Sequence, residues 1–233
     1  WTLSLMLRRA ILAEVLHQVG RVDEALEHFR KAEALQAWRQ PETPLLYAVQ
    51  GFHYCDLLLA CAERAAGGGL ETRGTLDACG TVERRASQTL AWIKHQDWIL
   101  DNALDHLTLG RARLYRAILG CSAVGGAKRE IDEAVEGLRR SGHQDYLPRG
   151  LLTRAWLCSA LGDPDGARAD LAEAEEIAER GPMPLHLADV HLYRARLFHD
   201  RAALAEAWRL VEKHGYWRRR EELKDLEAVA GGW

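Results

Sequence analysis

His186, Asp189 and His191 bring three potential metal ligands into six residues. A zinc site on one helix needs its two histidines four apart, on one face. Here they are five apart, which turns them to different faces. Asp101, Asp105 and His106 share one stretch and read as partners for neighbouring Arg, while His53 and Cys55 fall on opposite sides of a helix. The sequence therefore predicts no metal site. Ser141-Gly142-His143-Gln144-Asp145 holds the residue types of a hydrolase triad. That chemistry needs the nucleophile on a strained turn beside its base, and this stretch reads instead as a helix C-terminus running into a loop. Glu175-Glu176 and Glu221-Glu222 lie on solvated helix faces, with no apolar pocket to raise a carboxyl pKa. Gly67-Gly68-Gly69 lacks the following Lys-Ser/Thr of a phosphate loop. The expectation is a chain with no catalytic residues and no cofactor, and not an enzyme.

Composition narrows the class further. The net charge is -3, so no global field favours nucleic acid. Tyr216-Trp217 with Arg218-Arg219-Arg220 is a single aromatic-basic patch, followed at once by Glu221 and Glu222. The five cysteines form no Cys-x-x-Cys pair and read as free thiols in a reducing, cytoplasmic setting. No apolar run reaches the roughly 18–20 residues of a membrane span. The sequence opens on Trp1 rather than Met, which reads as a piece of a longer protein.

The elements that would position any site are helices. The chain is rich in Ala, Leu, Arg and Glu and poor in β-branched residues. Leu12-Ala13 is followed by Gly20, Ala25, Phe29 and Ala32; Arg154-Ala155 is followed by Gly162, Ala167, Leu171 and Ala174. In both copies twelve residues separate the small residue of one helix from that of the next, with Gly at the turn. Close antiparallel crossing needs a small residue on each helix and a Gly where the first must stop. Ala195 and Ala207 repeat the spacing. Such a hairpin cannot bury its apolar face alone and must stack on copies of itself.

This pattern resembles the tetratricopeptide repeat (TPR). The resemblance implies an all-α solenoid with a right-handed superhelix, built as a single domain of about five hairpins. They span approximately 3–38, 43–96, 98–142, 148–181 and 184–214. A capping helix at 216–229 follows, carrying Arg218, Arg219, Arg220, Glu221, Glu222, Lys224 and Asp225 with a polar outer face. Gly51 and Ala112 take the crossing positions of the second and third hairpins, and 67–81 reads as an insertion that no helix tolerates. Its partner helix is placed at about Val82–His95, with Ala86 and Leu90 facing in. The segments Asp145–Leu152, His186–Asp189 and Gly215–Arg219 with Glu222-Leu223 are similar to the C-terminal TPR arrays of bacterial signal-transducing NTPases of the STAND type, NACHT-bearing proteins included. In that family the repeats act as sensor or scaffold.

The resemblance implies a non-catalytic interaction module, with the first helix of each hairpin supplying the concave, partner-binding face. Counting from the crossing residues, that face holds Glu14, His17, Phe52, Asp56, Arg113, Arg116, Arg149, Trp156, Arg196 and His199. Two readings of its Arg stand side by side. They offer planar forks to a protein or peptide partner, an acidic one included, or they pair with carboxylates of adjacent hairpins such as Asp105, Asp145 and Asp189. A free-standing adaptor and a receptor holding a small molecule or peptide inside the superhelix are the alternative functions. The oligomeric state and the partner's identity are not encoded in these patterns.

Overall fold

The computed structural model describes residues 2–69, 74–93, 98–120 and 123–233. Trp1, His95 and Cys121 lie outside them, as does part of the expected insertion. Among the described residues the chain forms eleven α-helices, two 3-10 turns and no strand. The helices are α1 (Thr2–Gln18), α2 (Val22–Arg39), α3 (Ala48–Ala66), α4 (Thr75–Ile93), α5 (Ile99–Leu119) and α6 (Gly125–Ser141). They continue with α7 (Leu147–Ala160), α8 (Pro164–Arg180), α9 (Pro184–Phe198), α10 (Arg201–His214) and α11 (Arg220–Val229). A 3-10 turn at Trp217–Arg219 precedes α11. No described helix is long and apolar enough to cross a membrane.

Helices adjacent in sequence pack as pairs, and each pair also touches the next. The alanines marked by the repeat spacing sit where the helices meet: Ala13, Ala25, Ala155, Ala167, Ala195 and Ala207 are all 0% exposed. Gly20 and Gly162 both adopt φ +78°, the left-handed geometry that ends the first helix of a hairpin. Two helix starts, those of α8 and α10, are capped by an aspartate side chain. The Asp163 carboxylate accepts from the Gly166 amide at 2.9 Å, and Asp200 accepts from Ala203 at 3.0 Å.

Hairpins two and three differ from the sequence reading. Helix α4 starts at Thr75, so Gly80 lies inside it and the insertion shortens to the residues before Thr75. Leu90 is half-buried, and Cys79, Val82, Ala86 and Ile93 form the inward face instead. A Cβ at Gly51 would meet the Leu46 carbonyl 2.5 Å away, so Gly51 admits the turn before α3 rather than a crossing helix. In hairpin three, Ala112 and Ala134 are 0% exposed as expected. The closest approach nevertheless belongs to two glycines, because a Cβ at Gly110 would stand 2.6 Å from Ile131 and one at Gly137 2.8 Å from Ala103.

Two apolar cores result. One runs from α3 to α11; the smaller one joins α1 and α2 to α3 through Leu57 and a Phe29–Tyr54 stack at 5.0 Å. Ion pairs tie neighbours together across the outer surface. Arg85 of α4 donates to Glu33 of α2, Arg154 of α7 to Asp170 of α8 at 2.6 and 2.9 Å, and Arg194 of α9 to Glu175 of α8 at 2.7 and 3.1 Å.

Candidate functional site

Asp56 and Glu63 lie seven residues apart on α3, hence on one face, and both are 0% exposed. Burying two carboxylates is costly unless each is paired and hydrogen-bonded. Four guanidinium groups from two helices and one turn converge to do this. Asp56 accepts from Arg149 of α7 at 2.8 Å, lies 2.8 Å from Arg111 of α5, and accepts from Arg218 of the 3-10 turn. Glu63 accepts from Arg111 at 3.1 Å and from the Tyr193 hydroxyl at 2.8 Å, and lies 3.0 Å from Arg219. Arg219 also donates to Asp189 of α9 at 2.7 Å and to Glu222 of α11 at 2.6 Å. Glu222 in turn accepts from Arg196 of α9.

An aromatic wall backs the cluster. Arg196 lies 4.6 Å from the Trp156 ring centre and 5.2 Å from that of Tyr193. Its Nε and Nη1 have no hydrogen-bond partner, so the rings take the place of acceptors there. Trp156 contacts Tyr115 on one side and Tyr193 edge-on at 5.6 Å on the other. The Tyr216 hydroxyl donates to Asp189 at 3.0 Å.

Protonation follows from the pairing. Burial opposes ionisation of Asp56, yet Arg149, Arg218 and Arg111 hold it well below the usual carboxylate range. Burial likewise opposes ionisation of Asp189 and Glu63, and Arg219 leads the charges that keep each of them ionised. His17 stands close enough to feel Arg218; burial and that charge push its pKa down to about 3, so it is neutral. Glu14, on the same helix, lies 3.2 Å from His53 and falls to about 2 despite its burial. Ionised carboxylates fully engaged by guanidinium groups tie α3, α5, α7, α9 and the terminal turn together. The buried thiols Cys55 and Cys79 are pushed up to about 11 by burial and stay protonated at neutral pH. Among the described residues no group of three or more His, Cys, Asp or Glu is arranged to hold a metal ion.

The expected concave residues divide between three places. Phe52, Asp56, Arg149, Trp156 and Arg196 meet in or against the cluster, with His17 and Glu14 at its edge. Arg113 and Arg116 do not join them. Arg113 donates to Glu83 of α4 at 3.0 Å and Glu130 of α6 at 2.9 Å, and Arg116 lies 2.6 Å from Glu83. His199 ends α9 in a left-handed conformation and stacks on Trp233 at 5.3 Å. Glu63, Arg111, Asp189, Tyr193, Arg218, Arg219 and Glu222 were not among the expected groove residues. The i, i+7 spacing of Asp56 and Glu63 was a readable sign of the first.

The terminal segment is the main correction. Arg218 and Arg219 were expected on a polar outer face. Their side chains are instead 2% and 4% exposed, inserted among α3, α5, α7 and α9. Arg64 of α3 clamps the segment further by donating to Asp225 at 2.8 Å. Arg220, Glu221 and Lys224 do remain exposed. Inside the cluster the remaining cavity is about 10 Å³, the room of one water molecule.

No protein-family model matches this chain, and no curated protein matches its sequence. The reading of the site therefore rests on its own geometry.

Proposed function

We propose that this chain is a protein-interaction module of the tetratricopeptide kind, a right-handed superhelical stack of the sort that serves bacterial STAND-type signalling NTPases as sensor or scaffold. The inner faces of its odd-numbered helices are the partner surface. The observation that carries this reading is that those faces already hold a peptide. Tyr216, Arg218 and Arg219 insert among four helices and are met by Asp56, Glu63 and Asp189. A surface that seats one Arg-bearing 3-10 turn has the donors, acceptors and aromatic walls to seat another such segment.

This refines the partner's chemistry. An acidic peptide was the sequence expectation. The inner Arg are already engaged by carboxylates, and the group that carboxylates receive is a guanidinium. The partner we propose is accordingly a peptide with adjacent arginines and an aromatic residue before them, competing with residues 216–222. The receptor alternative, with a small molecule inside the superhelix, is less well supported, since the filled face leaves about 10 Å³. A labelled peptide of residues 215–229 tests the proposal. It should bind the full chain carrying Arg219→Ala, whose own segment is loosened, at least tenfold tighter than the unaltered chain. Equal binding to both, or none to either, refutes the inner face as a peptide site.

A further inference from the structure

Gly67-Gly68-Gly69 closes α3, and one glycine would suffice for that. The Gly68 amide donates to the Ala65 carbonyl at 3.1 Å and the Gly69 amide to the Arg64 carbonyl at 3.0 Å, with Gly68 at φ +94°. A helix end of this kind needs a left-handed residue at Gly68 alone. Gly67 has φ −82° and ψ 10°, a backbone open to any residue. Alanine would favour the helix more than glycine does there. The reason for a glycine at position 67 therefore lies outside α3.

It lies in the groups that hold α11. A Cβ on Gly67 would stand 2.6 Å from Nε and 2.8 Å from Cζ of Arg196. The end of an Arg side chain ordinarily yields to such a contact. This one is held: it is 5% exposed, lies against the Trp156 and Tyr193 rings, and donates through Nη2 to Glu222 of α11. A Cβ on Gly69 would stand 2.6 Å from the Asp225 carboxylate and 2.9 Å from the Arg64 carbonyl, so Gly69 answers both to α11 and to its own helix end. A Cβ on Gly68, between them, would meet nothing within 4 Å. The outer two glycines of the turn thus admit the two side chains, Arg196 and Asp225, that fasten the terminal helix.

We propose that the Gly67–Gly69 turn is the seat of an autoinhibitory strap. It grants Arg196 and Asp225 their close approach, so residues 216–225 stay closed over the inner face, and the firmness of that closure sets how much of the face a partner reaches. This regulatory role rests on the reading of the inner face as a peptide site. Only the open chain binds a competing peptide, so the apparent Kd falls in proportion as the open fraction rises. A side chain at position 67 drives Arg196 from its rings and from Glu222, and raises that fraction.

The test uses the full chain carrying Gly67→Ala. Amide exchange over residues 220–229 should quicken about fivefold or more while α8 is unchanged, and the labelled peptide of residues 215–229 should bind tighter by the same factor. Gly80→Ala is the control. A Cβ on Gly80, inside α4, would meet nothing nearer than Arg84 at 3.7 Å, and both readouts should stay where they were. Arg196→Met removes the group that the added methyl meets, so Gly67→Ala should change nothing further in that background. If Gly67→Ala alone loses its helicity, Arg196→Met should restore it, and failure to do so overturns the proposal. So does exchange over 220–229 that ignores Gly67→Ala, or that quickens equally with and without Arg196→Met. Faster exchange without tighter peptide binding upholds the seat and refutes the inner face as a peptide site.

Discussion

Replacing Arg219 with Met tests whether the buried charges hold the terminal segment in place. Arg219 reaches three carboxylates, Asp189, Glu63 and Glu222, with its own side chain 4% exposed. In Arg219→Met, Glu63 keeps Arg111 and Tyr193, and Glu222 keeps Arg196. Asp189 keeps the Tyr216 hydroxyl as its hydrogen-bond donor and loses its ion pair. One buried carboxylate thus loses its ion-pair partner and keeps only the more distant charges of Arg149 and Arg218, a change that costs about 3–5 kcal/mol. For a chain of this length 1 kcal/mol moves the Tm by about 2–4 °C, so the melt should fall by about 6–20 °C. Adding Asp189→Asn removes the orphaned charge and should recover about 2 kcal/mol, read as the coupling term of a double-mutant cycle. Amide exchange should speed up over residues 216–229 before it does elsewhere. The exposed neighbour serves as control: Arg220→Met should stay within about 0.5 kcal/mol. If Arg219→Met melts within about 2 °C of the unaltered protein, or Asp189→Asn restores nothing, the segment is held by apolar packing and the argument from charge fails.

Two further outcomes follow from residues outside the cluster. Ala155, 0% exposed at the crossing of α7 and α8, leaves no room for added methylenes; Ala155→Leu should cost about 1–3 kcal/mol, and an unchanged melt would refute the crossing register. Asp105 is pushed up to about 7 by burial, against the hydrogen bond it receives from Thr89. Its raised pKa means the folded state favours the protonated form, so the cost of the carboxylate is absent below pH 4 and grows as pH rises through 7. Asp105→Asn should therefore stabilise by about 4 kcal/mol at pH 8 and by little at pH 4, checked by denaturant melts at both; an equal gain at the two pH values would refute the assignment.

Much of the fold was legible because its determinants are local. The twelve-residue spacing of small residues, Gly at the turns and Asp before the even-numbered helices α8 and α10 each act within one hairpin. Hairpin two was harder, since Gly80 argues against helix locally and is overruled by the burial of Cys79 and Val82 on the same turn. The site was legible only in part. Asp56, Arg149, Trp156 and Arg196 follow from helical face alone. Arg218 and Arg219 sit in a run of charges that reads as solvated, and their fate is decided by Asp56 and Glu63, with Arg218 162 positions beyond Asp56. No periodicity in the terminal segment carries that information. Arg113 and Arg116 err the other way: they occupy the expected turns of α5, but Glu83 and Glu130 draw them to α4 and α6.

The contact between α3 and the terminal turn also bears on how the chain folds. A row of hairpins that touch only their neighbours can grow or fray from any point, one unit at a time. Here Arg218, Arg219 and Asp225 join the end of the chain to α3, across hairpins three to five. That bond cannot form until α5, α7 and α9 are already in register, and it emerges from the ribosome after every hairpin it spans. Its loop-closure entropy is spent last, once the intervening helices have fixed the geometry. The clasp therefore couples hairpin two to residues 218–225, so that opening any hairpin between them works against the same buried ion pairs.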